Sequence, residues 1–359
     1  MNKLTILSIG AVLLFAFGCT NKNKTGAGVS LSPEMGAIYN AGQTVNVKLN
    51  YPDDIKPDSI VYLLDSVRFA SAKDSSVINL KTDTLHMGSR LITAKIYQGG
   101  KVAQDISTNF MLYAAKPPQE LTFTIEKVYP HDTSSYTEGL LYQDGYLYES
   151  DGGRVSEGTG RSSLRKVDLQ TGKVIKMVEL DPTIFGEGIS IVGDKIVQMT
   201  YTEKIGYVYD KNTFKLLSSF NNNVGVEGWG MCFDGNQLYL DDSTNRIWFL
   251  NKNSYQAQGF IDVCDDKEQK SQVNELEMID GKLYANVYTT NDILVIDPKT
   301  GAVLQHADMS NLWPLKDRPA GFDSNDKVLN GIAWDAKGKR LFVTGKKWPH
   351  LYQIRFQPK

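Results

Sequence analysis

The chain has 359 residues, 41% of them apolar and 22% charged, a balance that excludes wholesale disorder. With 39 basic against 41 acidic residues, the net charge of −2 offers nucleic acid no broad electrostatic footprint. Three cysteines and four histidines exclude a disulfide scaffold and zinc-finger chemistry, while 18 tyrosines and 31 glycines favour twisted sheet and tight turns.

Residues 1–18 start with a lone Lys3 and continue as an apolar run from Leu4 to Gly18. That run is shorter than the ~20 residues a spanning helix needs, and it describes an export signal. Its ending, Ala16-Phe17-Gly18-Cys19, resembles a bacterial lipobox, which implies lipidation of Cys19; an ordinary cleaved export signal is the alternative. Residues 19–28 form a polar, glycine-containing tether with no aspartate after Cys19. The expected location is the outer membrane, facing the periplasm, with membrane contact through the lipid alone. Cys232 and Cys264 are then left either to pair or to stay as free buried thiols.

From 29 to 115, short alternating runs lie between turn residues: Thr44–Leu49, Ser59–Leu63, Arg90–Tyr97 and Asn109–Tyr113. Period two puts apolar side chains on one sheet face, and this length suits a small immunoglobulin-like β-sandwich. No catalytic constellation occurs in it. Lys116-Pro117-Pro118-Gln119 then marks a domain boundary.

A repeat fills residues 120–359. A strand-joining turn recurs at Asp168, Asp210, Asn251 and Asp297, with spacings of 42, 41 and 46 residues. Each unit opens on an acid or amide: Glu138-Gly139, Glu187-Gly188, Glu227-Gly228, Asn274-Glu275 and Asn330-Gly331. Four short strands per 40–50 residues predict propeller blades, and the length accommodates five. The last unit has only three strands, so Leu121–Val128 is the candidate for its outer strand, closing the ring. The fold class is therefore all-β: a five-bladed β-propeller preceded by the small β-sandwich.

In a propeller the first strands line the axis, so Glu138, Glu187, Glu227, Asn274, Glu275 and Asn330 should crowd one end of the channel. Clustered carboxylates raise one another's pKa and suit acid/base work. The same residues could instead tie neighbouring blades by hydrogen bonds, or hold a cation.

Several motifs are distinctive: Tyr129-Pro-His-Asp132, Tyr136-Thr-Glu-Gly-Leu140, Phe185-Gly-Glu-Gly188, Glu227-Gly-Trp-Gly230, Asn274-Glu-Leu-Glu277, Leu329–Asp335 and Phe342–Lys346 followed by Trp348-Pro349. In order and spacing they resemble the plant-type glutaminyl-peptide cyclotransferases over residues 121–356. The resemblance implies a metal-independent enzyme without cofactor that converts N-terminal glutamine of peptides or secreted proteins to pyroglutamate with loss of ammonia. It implies that Glu187 is the catalytic acid/base, that Asn274 and Lys346 bind the carboxamide or developing oxyanion, and that Trp229 is a pocket wall. Phe185, Asn330, Glu138, Tyr201 and Tyr288 complete the expected substrate site; Glu138 stands where the family has glutamine, and the two tyrosines where it has tryptophans. A monomer is expected. The alternative is a noncatalytic propeller acting as a binding or assembly lipoprotein.

Overall fold

Thr44–Asn50 illustrates how period-two patterning becomes structure: Val45, Val47 and Leu49 are buried, and the residues between them face solvent. A computed structural model describes residues 28–359. Residues 1–27, with the expected export signal, Cys19 and nearly all of the tether, lie outside the described residues. The described residues are all-β, apart from the helical turns Val155–Glu157 and Leu315–Asp317.

Ahead of the Lys116–Gln119 break, two sheets share one core. One is ordered Ser30–Ser32, Thr44–Asn50, Ile78–Lys81; the other Ala37–Asn40, Lys101–Tyr113, Gly88–Gln98, Ser59–Leu64, Val67–Ala72. Val45, Val47 and Leu49 pack with Ile60, Tyr62, Ile92 and Phe110. All four expected strands are present. The others are short, or largely exposed like Val67–Ala72, and so carry no alternation to read.

This core also takes in Cys264, from beyond the break. Met87 N donates to Thr300 O (2.7 Å), Ala114 N to Asp265 O (2.9 Å), and Asn40 Nδ2 to Asp266 O (2.9 Å). Cys232 lies in a different cluster, with Ile247 and Leu276. The two cysteines are therefore free buried thiols rather than a pair.

Beyond the break the strands come in antiparallel sets of four. The first set is Thr137–Gln143, Tyr146–Asp151, Ser163–Asp168 and Val174–Glu179; the second and third span Gly186–Asn221 and Met231–Asp262. The first strand of a set is almost wholly buried because a neighbouring set covers each face, whereas the last alternates or faces solvent. First strands touch in order, and Leu329–Asp335 also touches Thr137–Gln143, so the contacts run in a cycle.

The recurring turn has a local cause. Asp168 Oδ1 accepts from Gln170 N (3.1 Å) and Thr171 N (2.9 Å), and Asp210 and Asn251 repeat both bonds. The left-handed residue that follows is Gly172, Phe214, Tyr255 or Gly301. Glycine is required where backbone comes close: a Cβ at Gly301 would lie 2.3 Å from Asp262 O.

The remaining eight strands form one sheet. Its order is Val273–Ile279, Lys282–Val287, Asp292–Ile296, Val303–Asp308, Gln119–Pro130, His350–Pro358, Arg340–Gly345, Leu329–Asp335. Leu121 to Pro130 pairs antiparallel with Pro358 to His350, supplying the outer strand that the final set lacked. Gln119–Leu121 also pairs in parallel with Gln305–Ala307, a join that the repeat spacing did not predict.

Candidate active site

Four of the five openings carry a register shift, between Thr137 and Gly139, Gly186 and Ile189, Val273 and Leu276, and Leu329 and Ile332. Such bulges leave a residue outside the ladder and re-aim its side chain. The first residues released are Glu138, Glu187, Asn274 and Asn330. In the third set the ladder starts only at Met231, so Glu227 and Trp229 precede it. The adjacent glycines let these openings converge: a Cβ on Gly188 would meet Trp229 O and Met231 N at 2.5 Å.

Glu138, Glu187, Trp229 and Asn274 line one cavity of about 150 Å³ at this end. Phe185 joins them, with Tyr201, Tyr288 and Lys346 from the loops that follow second strands. Eight expected residues therefore meet. The volume fits one side chain rather than a drug-sized ligand, which needs about 300 Å³ or more. Asn330 stands behind the wall, its Nδ2 donating to Thr137 O (2.8 Å) and Glu138 Oε2 (3.2 Å). Tyr136 is a lining residue outside the expected set. Its hydroxyl donates to Asp326 Oδ1 (2.7 Å), and its ring lies 4.6 Å from Lys346 Nζ. Its place in the Tyr136-Thr-Glu-Gly motif was the available signal.

The aromatic walls are contiguous, with Phe185 5.8 Å from Tyr201, and Trp229 edge-on to Tyr288 at 5.4 Å. Between them the charges are few and buried. Lys346 Nζ donates to Glu138 Oε1 at 2.6 Å. Burial raises the Glu138 carboxyl above the usual range, with the Lys346 ammonium opposing it. Burial, then the neighbouring Glu138 charge, holds Glu187 well above the usual carboxylate range. Among the described residues no hydrogen bond reaches the Glu187 carboxyl. Asn274 is buried with its Oδ1 unpartnered. Burial, then Glu227, pushes the Tyr201 hydroxyl up to about 12.

Glu275 takes the other role open to an opening residue, tying strands rather than lining the cavity. It is buried below the cavity, where Oε1 accepts from Leu140 N (3.1 Å) and Oε2 from Ile332 N (2.7 Å), joining three first strands. Glu227 is half-buried and outside the lining. A second polar network fixes the Glu138–Lys346 pair from behind. His131 contacts Trp348 O (2.7 Å) and Glu149 Oε1 (3.0 Å), Thr137 Oγ1 donates to Glu149 (2.6 Å), and Lys347 N donates to Ser135 O (2.7 Å). Among the described residues no group of three or more His, Cys, Asp or Glu side chains is placed to hold a metal ion.

A family model described as glutamine cyclotransferase matches residues 96–356. The chain belongs to the glutamine cyclotransferase family. It is 37% identical over 232 residues to an Arabidopsis thaliana protein named glutaminyl-peptide cyclotransferase, covering 64% of this chain and 69% of that one. The crystal structure of Myxococcus xanthus glutaminyl cyclase matches with a TM-score of 0.60 at 30% identity, over 67% of this chain and 99% of the other. The glutamine cyclotransferase match takes in every residue of the pocket and begins inside the strand Gly88–Gln98, ahead of the Lys116–Gln119 break. In this family member the pocket brings together the unengaged Glu187 carboxyl, the Lys346 ammonium paired with Glu138, and the Asn274 side-chain amide within an aromatic wall.

Proposed function

We propose that the chain cyclises N-terminal glutamine of peptides or secreted proteins, forming pyroglutamate and releasing ammonia. The observation that carries this is the Glu187 carboxyl: buried, raised in pKa, and free of hydrogen bonds from the described residues in a cavity the size of one side chain. The α-amine nitrogen attacks the γ-carboxamide carbon, the new C–N bond closes the ring, and the bond to the carboxamide nitrogen breaks. Glu187 takes a proton from the amine and returns it to the departing nitrogen, so no net proton is consumed within the site. The ground-state intramolecularity of the substrate already supplies proximity. Lys346 keeps two N–H groups beyond its bond to Glu138 and donates them to the carboxamide oxygen and the oxyanion that develops from it, while the Asn274 side-chain amide binds the carboxamide beside it. Phe185, Tyr201, Trp229 and Tyr288 exclude water around the side chain, and Asn330 orients Glu138. No cofactor enters these steps, and no nucleic-acid partner is proposed.

We also read the chain as four parts: an export signal (1–18), a tether (19–28), an immunoglobulin-like sandwich (29–115) and a five-bladed propeller (120–359). The cyclic contacts of the first strands and the four-strand sets support the five blades; two sheets on one core support the sandwich. The apolar run before Cys19 supports export with a lipid anchor on that cysteine, at the outer membrane facing the periplasm. The proposed reaction draws on no residue of a second copy, and we read the protein as a functional monomer. Incubating the purified protein with a Gln-initiated peptide tests the reaction. Ammonia release with the matching mass loss is expected, and no turnover across neutral and mildly alkaline pH would sink it.

A further inference from the structure

Beside the catalytic pocket a larger groove of about 640 Å³ opens between the loop after Lys282–Val287 and the long connection from Asp308 to Leu329. Thr290, Asn291, Lys316, Arg318, Asn325 and Val328 are among its walls. Two links place it against the pocket. Tyr288, a pocket wall, is followed directly by the groove residue Thr289, and Lys346 N donates to Val328 O at 2.9 Å. A peptide whose first side chain fills the pocket advances about 3.3 Å per extended residue, so its next residues lie along whatever adjoins the mouth.

The groove lining holds two cations and no carboxylate. Arg318 is half-buried, its Nε donating to Trp313 O (3.0 Å) and its guanidinium 5.3 Å from the Trp313 and Trp348 rings. Among the described residues no ion pair includes Arg318 or Lys316. The acids on the same connection are engaged elsewhere: Asp326 by the Tyr136 hydroxyl, Asp323 by Asn325 N, Asp308 by Ser310 N. Asp317, on the same turn, pairs with neither cation. The Trp313, Phe322 and Trp348 rings and one carbonyl hold the guanidinium in place, and its positive charge stays unmatched by an anion and open to one from a ligand. Across the mouth the situation is opposite. Arg154 lies over Phe185 and Tyr201, but Glu157 (2.9 Å) and Glu203 (2.6 Å) already neutralise it.

We propose that this groove is the subsite for the residues following the N-terminal glutamine, and that Arg318 and Lys316 make it select acidic side chains there. The proposal rests on the cyclotransferase reading and adds a substrate class to it: Gln-initiated peptides with Asp or Glu at the second and third positions.

The test compares the tetrapeptide amides Gln-Glu-Glu-Gly, Gln-Gly-Gly-Gly and Gln-Lys-Lys-Gly at low ionic strength. The acidic peptide should exceed the neutral one by about five- to tenfold in kcat/KM, chiefly through KM, with the basic peptide lowest. Lys316→Gln should reduce the acidic-to-neutral ratio, Lys316→Gln with Arg318→Gln should bring it close to unity, and added salt should shrink it in wild type. Because Arg318 packs on Trp348, the Lys316→Gln variant and the salt titration decide the matter if the double variant does not fold. Equal kcat/KM for the three peptides, or a preference unchanged in the variants and in salt, overturns the proposal. Fluorescence anisotropy of C-terminally dye-labelled versions reads the groove without turnover. Tighter binding of the acidic peptide supports the subsite even if no ammonia is released, an outcome that would defeat only the catalytic reading; equal affinity for acidic and basic peptides overturns the subsite alone.

Discussion

Glu187 and Glu275 both come from bulged strand openings, both are buried, and burial raises both carboxyls well above the usual range. Their surroundings then diverge. Glu275 lies in the girdle beneath the pocket, where each oxygen accepts from a backbone amide of another first strand. Glu187 lies at the pocket, where no donor among the described residues reaches it. A raised pKa alone therefore does not separate a catalytic acid from a structural one, because burial supplies it in either place. Unused hydrogen-bonding capacity does separate them. The girdle has used its capacity to hold strands together, and the pocket has kept its own for a ligand.

The sharpest way to break this contrast is Glu187→Gln. Ammonia release should fall by about 10²- to 10⁴-fold, while the melting temperature holds or rises because a buried ionisable group has gone. A fully active variant would remove Glu187 from the chemistry. Glu275→Leu should do the reverse: two buried amides lose their acceptor, costing about 2–5 kcal/mol in denaturant unfolding, while kcat per folded molecule stays close to wild type at low temperature. If kcat collapsed and stability held, the girdle and pocket would have been misassigned.

Glu138→Gln sharpens the electrostatic side. The amide still accepts from Lys346, but the negative charge that helps raise Glu187 is gone. The Glu187 pKa should fall, so its basic form persists to lower pH and the acid limb of the kcat/KM profile shifts down. An unshifted limb would remove the Glu138 charge from the causes and leave burial with the Asp241 and Glu227 charges. The smallest effect is expected at Glu277, where burial raises the carboxyl to about 8 against the opposing bond from Trp334 N (2.9 Å). The folded state holds this proton where the unfolded chain has released it, so stability is full at acidic pH and declines as pH rises toward 8. Glu277→Gln should flatten that decline in melting temperature, and an identical slope would assign it to other groups.

Much of this arrangement was legible from residue patterns. The Asp168-type turns are local hydrogen-bonding motifs, so four residues suffice to write one, and their spacing counts the strand sets. The pocket walls were legible through motifs that resemble a family. What alternation could not resolve was the direction of each opening side chain. Neighbouring strand residues face opposite ways, and the bulge between Val273 and Leu276 shifts that phase against the rest of the strand, so alternation alone does not tell that Asn274 takes the cavity side and Glu275 the girdle side. Tyr136 escaped because it lies two residues before Glu138, the position the repeat marks, although its motif carried the signal. The parallel join of Gln119–Leu121 to Gln305–Ala307 depends on contacts some 186 residues apart, for which no local pattern exists.

Ring closure through Gln119–Pro130 also sets an order of events during synthesis. This strand is made early, yet its main partner is His350–Pro358, with Tyr129 and Gln353 separated by 224 residues. At roughly 5–20 residues per second, its edge waits about 10–45 seconds for that partner. An unpaired edge over that interval invites pairing with another nascent chain. The strand carries Glu120, Glu126 and Lys127 along its exposed positions, charges that make such an encounter unfavourable until Arg355 and Gln353 arrive to bind Glu126.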